Sequence, residues 1–172
     1  MLKRIAMLLC LAASAPAADA PGFDIRTDKP NDQVKVDANR DTVIFDVFSQ
    51  SGIGGSTIAL TKGNWPASLI LRLHLHGLEG FSITAGKREL SGSVASGDGK
   101  LKLLHLLDEN KVDHPLEKDS PYWMDIRVLD AKGHEVKGLP PEGGCFEMRL
   151  PPALLKDQPK SIGLGWIDFY RR

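Results

Sequence analysis

Leu69-Ile70-Leu71-Arg72-Leu73-His74-Leu75-His76 is the stretch that decides the fold. Leucine takes every second position, and Ile70, Arg72, His74 and His76 fill the positions between. Successive side chains of a strand point to opposite sides, so this period of two describes a strand with one buried and one polar face. The same grammar extends toward the N-terminus. Thr42–Phe48 places Val43, Phe45 and Val47 on one side, and Gly52–Gly55 turns the chain into a run from Ser56 to Thr61 that Asn64-Trp65-Pro66 ends.

Toward the C-terminus come two weaker runs, Gly80–Ala85 and Leu90–Ala95. Gly97-Asp98-Gly99 then forms a hairpin turn, because glycine accepts the positive φ that such turns demand. Leu101–Leu107 is apolar nearly throughout and predicts a strand covered on both faces. The polar stretch Asp108–Pro121 reads as a loop, and Tyr122–Leu129 as a strand with Tyr122, Met124, Ile126 and Val128 inward. A Gly- and Pro-rich loop, Ala131–Gly144, precedes Cys145–Leu150, whose Phe146, Met148 and Leu150 point inward. Pro151–Lys156 suits one helical turn, since proline is tolerated at a helix start. Ser161–Tyr170, carrying Gly163 and Gly165 on one side, closes the chain as a strand.

Short alternating runs between turn residues predict an all-β protein of about nine or ten strands with minimal helix. The expected arrangement is an antiparallel β-sandwich, jelly-roll-like or immunoglobulin-like, with a closed barrel as the main alternative.

Ahead of these strands, Lys3 and Arg4 are followed by an apolar run from Ile5 to Ala13 and then by small residues to Ala20. That order is a secretory signal peptide, its apolar run far short of the roughly 20 residues a spanning helix needs. Cleavage is expected after Ala17, with residue 20 as the later choice, leaving residues 18–172 as a single sandwich domain. Cys10 follows Leu9, not the small residue that a lipidated cysteine normally follows. No N-glycosylation sequon is present, and the expected location is a bacterial periplasm or the exterior.

Loss of Lys3 and Arg4 leaves 20 basic against 22 acidic residues, a formal charge of −2. Such balance gives no electrostatic reason to bind nucleic acid or an anionic membrane. Cys145 is then the one remaining cysteine, so no internal disulfide forms, and the residue is either a buried inert thiol or a reactive one.

Two constellations carry chemistry. His74 and His76, two apart on a strand, project from one face and suit a divalent metal ion such as zinc or copper. A third ligand is needed, for which His105, His114, His134, Glu79 and Asp125 are candidates, and without it the pair is an ordinary polar row. The second constellation follows from parity. Arg72, His74 and His76 on one strand, Trp123, Asp125 and Arg127 on another, and Cys145, Glu147 and Arg149 on a third all fall opposite the buried sides. In one sheet they would form a polar, aromatic-bearing surface able to bond sugar hydroxyls while a ring stacks on the sugar. The plainer reading of that surface is a solvated face laced with cross-strand ion pairs, with Trp123 tucked under the Asp108–Pro121 loop.

Trp65 and Trp166 read as core residues, and Gly163 and Gly165 leave a shallow floor for a ligand or a neighbouring ring. Phosphate-loop, nucleophile-elbow, H-E-x-x-H and C-x-x-C patterns are absent, and the spacing of Asp108, Asn110 and Asp113 fits no calcium loop. A nucleophilic Cys145 with a histidine and Asp168 has residue types alone in its favour, which makes an enzyme the weaker reading. The sequence therefore predicts an exported non-catalytic binding or interaction module, with a carbohydrate or another exported protein as partner. Trp123, Arg127, Asp125, Arg72 and Glu147 are its expected ligand residues. The alternatives are a metal-binding protein centred on His74 and His76 and a purely structural exported protein.

Overall fold

Alternation of the kind seen at Leu69–Leu75 produces two β-sheets packed face to face, in a computed structural model that describes residues 22–39, 41–49 and 53–169. The signal-peptide reading of residues 1–17, its later cleavage choice at 20 and Cys10 lie outside the described residues, as does Tyr170. The strands are β1 (Phe23–Thr27), β2 (Gln33–Ala38), β3 (Thr42–Phe48), β4 (Ile53–Leu60), β5 (Ser68–His74) and β6 (Leu78–Ala85). They continue as β7 (Arg88–Val94), β8 (Leu101–Leu107), β9 (Asp113–Pro115), β10 (Ile126–Leu129), β11 (Cys145–Arg149) and β12 (Ser161–Asp168). One helical turn, α1 (Pro152–Leu155), sits between the last two.

A seven-stranded sheet runs β1-β4-β12-β6-β7-β8-β9, and a five-stranded sheet runs β10-β11-β5-β3-β2. Neither closes into a barrel, so the sandwich expectation holds. All pairings are antiparallel except β3 with β5, which makes the smaller sheet mixed. Parallel neighbours need a crossover between them, and β4 supplies it by passing through the opposite sheet.

The core lies between the sheets. Val128, Phe146, Leu73, Val47 and Val34 stand in one register row across all five strands of the smaller sheet, and every one is buried. Ile58, Ile83, Leu90, Ile162 and Leu164 close the cluster from the larger sheet. Trp65 is buried as expected, its Nε1 donating to Pro159 O at 2.6 Å and its ring lying 5.7 Å from that of Phe23.

Three strands exceed the sequence expectation. β1 and β2 each carry a single alternating pair, Phe23/Ile25 and Val34/Val36, too short a pattern to stand out. β9 is wholly exposed, an edge strand whose Pro115 marks it as such. The Tyr122–Leu129 run forms a strand only from Ile126, because a turn at Ser120 takes up its start. Trp123 N donates to Ser120 O at 2.9 Å, and Tyr122 N to Ser120 Oγ at 3.2 Å. Gly97 and Gly99 have φ of 90° and 70°, as the hairpin between β7 and β8 requires.

Two rings of the larger sheet rest on glycines of neighbouring strands. Trp166 stands opposite Gly54, Phe81 opposite Gly92, and all four share one register row. A Cβ at Gly92 would lie 2.5 Å from the Phe81 ring, and one at Gly54 would enter the Trp166 indole. Among the described residues Trp166 Nε1 has no hydrogen-bond partner, so shape alone holds this ring. Gly54→Ala is expected to lower stability by about 1–3 kcal/mol through overpacking, read as a lower denaturant midpoint at unchanged slope.

Candidate functional site

The outer face of the five-stranded sheet carries a charge row in strict register. Arg127 on β10 faces Glu147 on β11, which faces Arg72 on β5, which faces Asp46 on β3, which faces Lys35 on β2. The signs alternate across the whole sheet. This row lies between two inward-facing apolar rows, so strand parity alone sends its side chains outward.

Glu147 is the centre of the row. Its side chain is only 6 % exposed, whereas those of Arg72 and Arg127 are 32 % and 52 % exposed. Arg72 Nε donates to Glu147 Oε2 at 2.9 Å, and Arg127 Nη2 donates to Oε1. Burial pushes the Glu147 carboxyl up, but the hydrogen bonds from Arg127 and Arg72 outweigh it and hold the group below the usual carboxylate range. Burial likewise opposes the charge on Arg72, and the bond to Glu147 with the charges of Glu147 and Asp46 raises it overall.

Beside this row stands an aromatic pair. Phe48 and His74 are directly paired across β3 and β5, and their rings stack with centroids 4.2 Å apart and planes 10° from parallel. Lys35 Nζ sits 4.8 Å from the Phe48 centroid, and His74 Nε2 lies 2.9 Å from Asp46 Oδ1. Arg149, at the other end of β11, bonds Ser68 Oγ.

Of the residues expected from sequence, Arg72, Glu147 and Arg127 come together. Trp123 and Asp125 do not lie on a strand. They precede β10 and bond each other, Trp123 Nε1 to Asp125 Oδ1 at 3.1 Å, while the Trp123 ring packs partly buried against the core. Lys35, Asp46 and Phe48 join them from β2 and β3. Parity already put Asp46 and Phe48 opposite Phe45 and Val47, but nothing local says which strand lies alongside.

His74 and His76 have different partners. His74 belongs to β5 and to Asp46, whereas His76 follows the strand where the chain crosses to the other sheet, its Nδ1 3.8 Å from Asp168 Oδ2. Asp168 also accepts the Gly77 N–H at 2.6 Å. Of the proposed third ligands, His105 pairs with Asp113, His114 with Asp108 and His134 with Asp130. Among the described residues no group of three or more His, Cys, Asp or Glu side chains is placed to hold a metal ion. Asp108 is tied into its own turn by the N–H groups of Val112 and Asn110, and those bonds with His114 hold its carboxyl below the usual range.

Cys145 is buried at the start of β11. Burial, against the opposing pull of Arg72, pushes its thiol up to about 11, so it stays protonated at neutral pH. Among the described residues no helix is long and apolar enough to cross a membrane.

Glu147→Gln is expected to cost about 1–3 kcal/mol at pH 7, because two cations lose their shared counter-charge while remaining partly solvated. A depressed carboxyl stabilises fully above its unfolded pKa of about 4.3 and loses that contribution as pH falls through the folded value. The gap between wild type and variant in denaturant melts should therefore close below about pH 4. Cys145 should resist a thiol reagent in the native protein and react at once after unfolding; rapid native reaction would contradict its burial.

Compared with known proteins, the chain is matched by no family model, by no curated protein and by no solved structure.

Proposed function

We propose that this chain is an exported, non-catalytic binding module whose ligand surface is the outer face of the five-stranded sheet, and that its ligand is a carbohydrate. The observation that carries this reading is the buried Glu147 shared by two guanidiniums. A guanidinium has five N–H donors in a rigid fork. Arg72 and Arg127 each hold Glu147 through one nitrogen, which fixes the forks and leaves other donors for hydroxyl or carboxylate oxygens. A receptor whose donors are already locked loses little side-chain freedom on binding.

The aromatic component differs from the sequence expectation. Trp123 is engaged with the core and with Asp125, so the Phe48–His74 stack is the ring surface next to the charge row. Phe48 lies between the His74 ring and Lys35 Nζ, so the outer edge of this stack is the apolar surface a pyranose would meet, with Lys35 as an adjacent donor. This division of labour, ring for the apolar face and forks for the oxygens, supports the reading.

Affinity electrophoresis of the chain lacking residues 1–17 against neutral and acidic polysaccharides tests it. At least one polysaccharide should retard the wild type. Arg127→Lys keeps the charge beside Glu147 but loses the fork, and Phe48→Ala removes the ring. Each should weaken binding about tenfold or more, or roughly 1.4 kcal/mol, without abolishing the cooperative melt. Wild-type protein that ignores every polysaccharide, or binding indifferent to both substitutions, would sink the proposal.

A further inference from the structure

The outer face of the seven-stranded sheet is unlike that of its partner. Ile53, Ile167, Gly80, Ser93 and Leu103 form one register row across β4, β12, β6, β7 and β8, and none is charged. Ile53 is 65 % exposed, Ile167 49 % and Leu103 50 %, three of the four large apolar side chains that the described residues leave in water. The isoleucine pair itself forms part of the rim of a groove of about 380 Å³ that Gly80, Ser82 and Gly165 also line. Ridge and groove therefore sit on one face.

We propose that this face is a homodimer interface, in which the Ile53–Ile167 ridge of each copy enters the Gly80–Gly165 groove of the other. An isologous interface must be self-complementary, and a ridge next to a matching groove satisfies that condition. A two-fold axis parallel to the strands, between β12 and β6, sets each ridge over the partner's groove.

The neighbouring row is polar at both ends. It runs Gly55, Gly165, Ser82, Ser91, His105, and the Asp28 carboxylate lies over Gly55 at its β4 end. Rotation about that axis brings Asp28 of one copy toward the His105–Asp113 pair of the other.

Size is adequate for a reversible dimer. The axis exchanges β12 with β6, β4 with β7 and β1 with β8. Six strands about 4.8 Å apart and seven residues rising about 3.3 Å each give roughly 650 Å² in plan, and side-chain relief brings the accessible area toward the roughly 800 Å² per partner of a standard interface. The middle of this face is uncharged; its ion pairs, Arg26–Asp24 on β1 and His105–Asp113 between β8 and β9, stand at its two edges.

Sedimentation equilibrium of the chain lacking residues 1–17, over a concentration series reaching hundreds of micromolar, tests this. The wild type should pass from monomer to dimer within that range. Ile167→Glu and, independently, Leu103→Glu should remain monomeric with unaltered circular dichroism; Lys62→Glu, beyond the far end of β4, should dimerise like the wild type. A wild type that stays monomeric throughout overturns the proposal, as does dimerisation that survives both glutamates. Monomeric wild type that binds an apolar dye, with binding lost in Ile167→Glu, would assign the groove to a small apolar ligand instead.

Discussion

One buried carboxylate sets the register of the smaller sheet. Glu147 lies between Arg72 and Arg127, and the alternation of sign continues through Asp46 to Lys35 on the edge strand. A slip of one residue in any of these strands would do two costly things together. It would carry a charge into the core and bring an apolar side chain out, because strand side chains alternate. The rows on either side make this concrete. Val128, Phe146, Leu73, Val47 and Val34 stand one position away on one side, and Ile126, Met148, Leu71, Phe45 and Val36 on the other. Individual cross-strand ion pairs contribute only about 0.2–1 kcal/mol. Their larger effect is to make every alternative register worse, which matters most where β3 and β5 pair in parallel without a hairpin to fix their offset.

Parity was readable from sequence because it is local. Leu69, Leu71 and Leu73 against Ile70, Arg72 and His74 needs no knowledge of neighbours, and the buried and outward sets follow directly. Which strands lie alongside is not local. Asp46 meets Arg72 only because β4 leaves for the other sheet and lets β3 and β5 become neighbours. Hence Glu147, Arg72 and Arg127 could be named in advance, while Asp46, Phe48 and Lys35 could not be placed beside them. Trp123 failed for a different reason. Its alternation with Met124 and Ile126 is genuine in sequence, but the turn at Ser120-Pro121 competes for the same backbone and wins, so the ring ends against the core. His74 and His76 share a parity in sequence that the chain abandons after His74, where β5 ends and Asp168 takes the Gly77 N–H at the crossover.

The two sheets solve their outer faces differently. On the smaller sheet, charged side chains stand shoulder to shoulder and neutralise one another. In the middle of the larger sheet, glycine, serine and isoleucine occupy the outward positions, and the bulk sits on the inner side as Trp166 over Gly54 and Phe81 over Gly92. Glycine in a strand costs roughly 0.5–1 kcal/mol relative to alanine. At Gly54 and Gly92 the inward rings take up the space; on the outward side a Cβ at Gly165 would meet Ser82 Oγ at 2.8 Å and one at Gly80 would lie 3.3 Å from Gly92 O, with the groove above them.

These two faces constrain one another. They lie on opposite sides of the sandwich, so a dimer closed through the neutral face leaves both charge rows outward and pointing away from each other. Two weak sites so arranged cannot grip the same short ligand, but they can engage distant positions on one long polymer or on a surface. The second attachment is then intramolecular, and its strength is set by effective concentration and not by new contacts. Affinity for short fragments would stay low while affinity for the polymer rises steeply with dimer population. Disruption of the neutral face would lower polymer binding without touching Glu147, Arg72 or Arg127, which separates the assembly of this protein from the chemistry of its recognition surface.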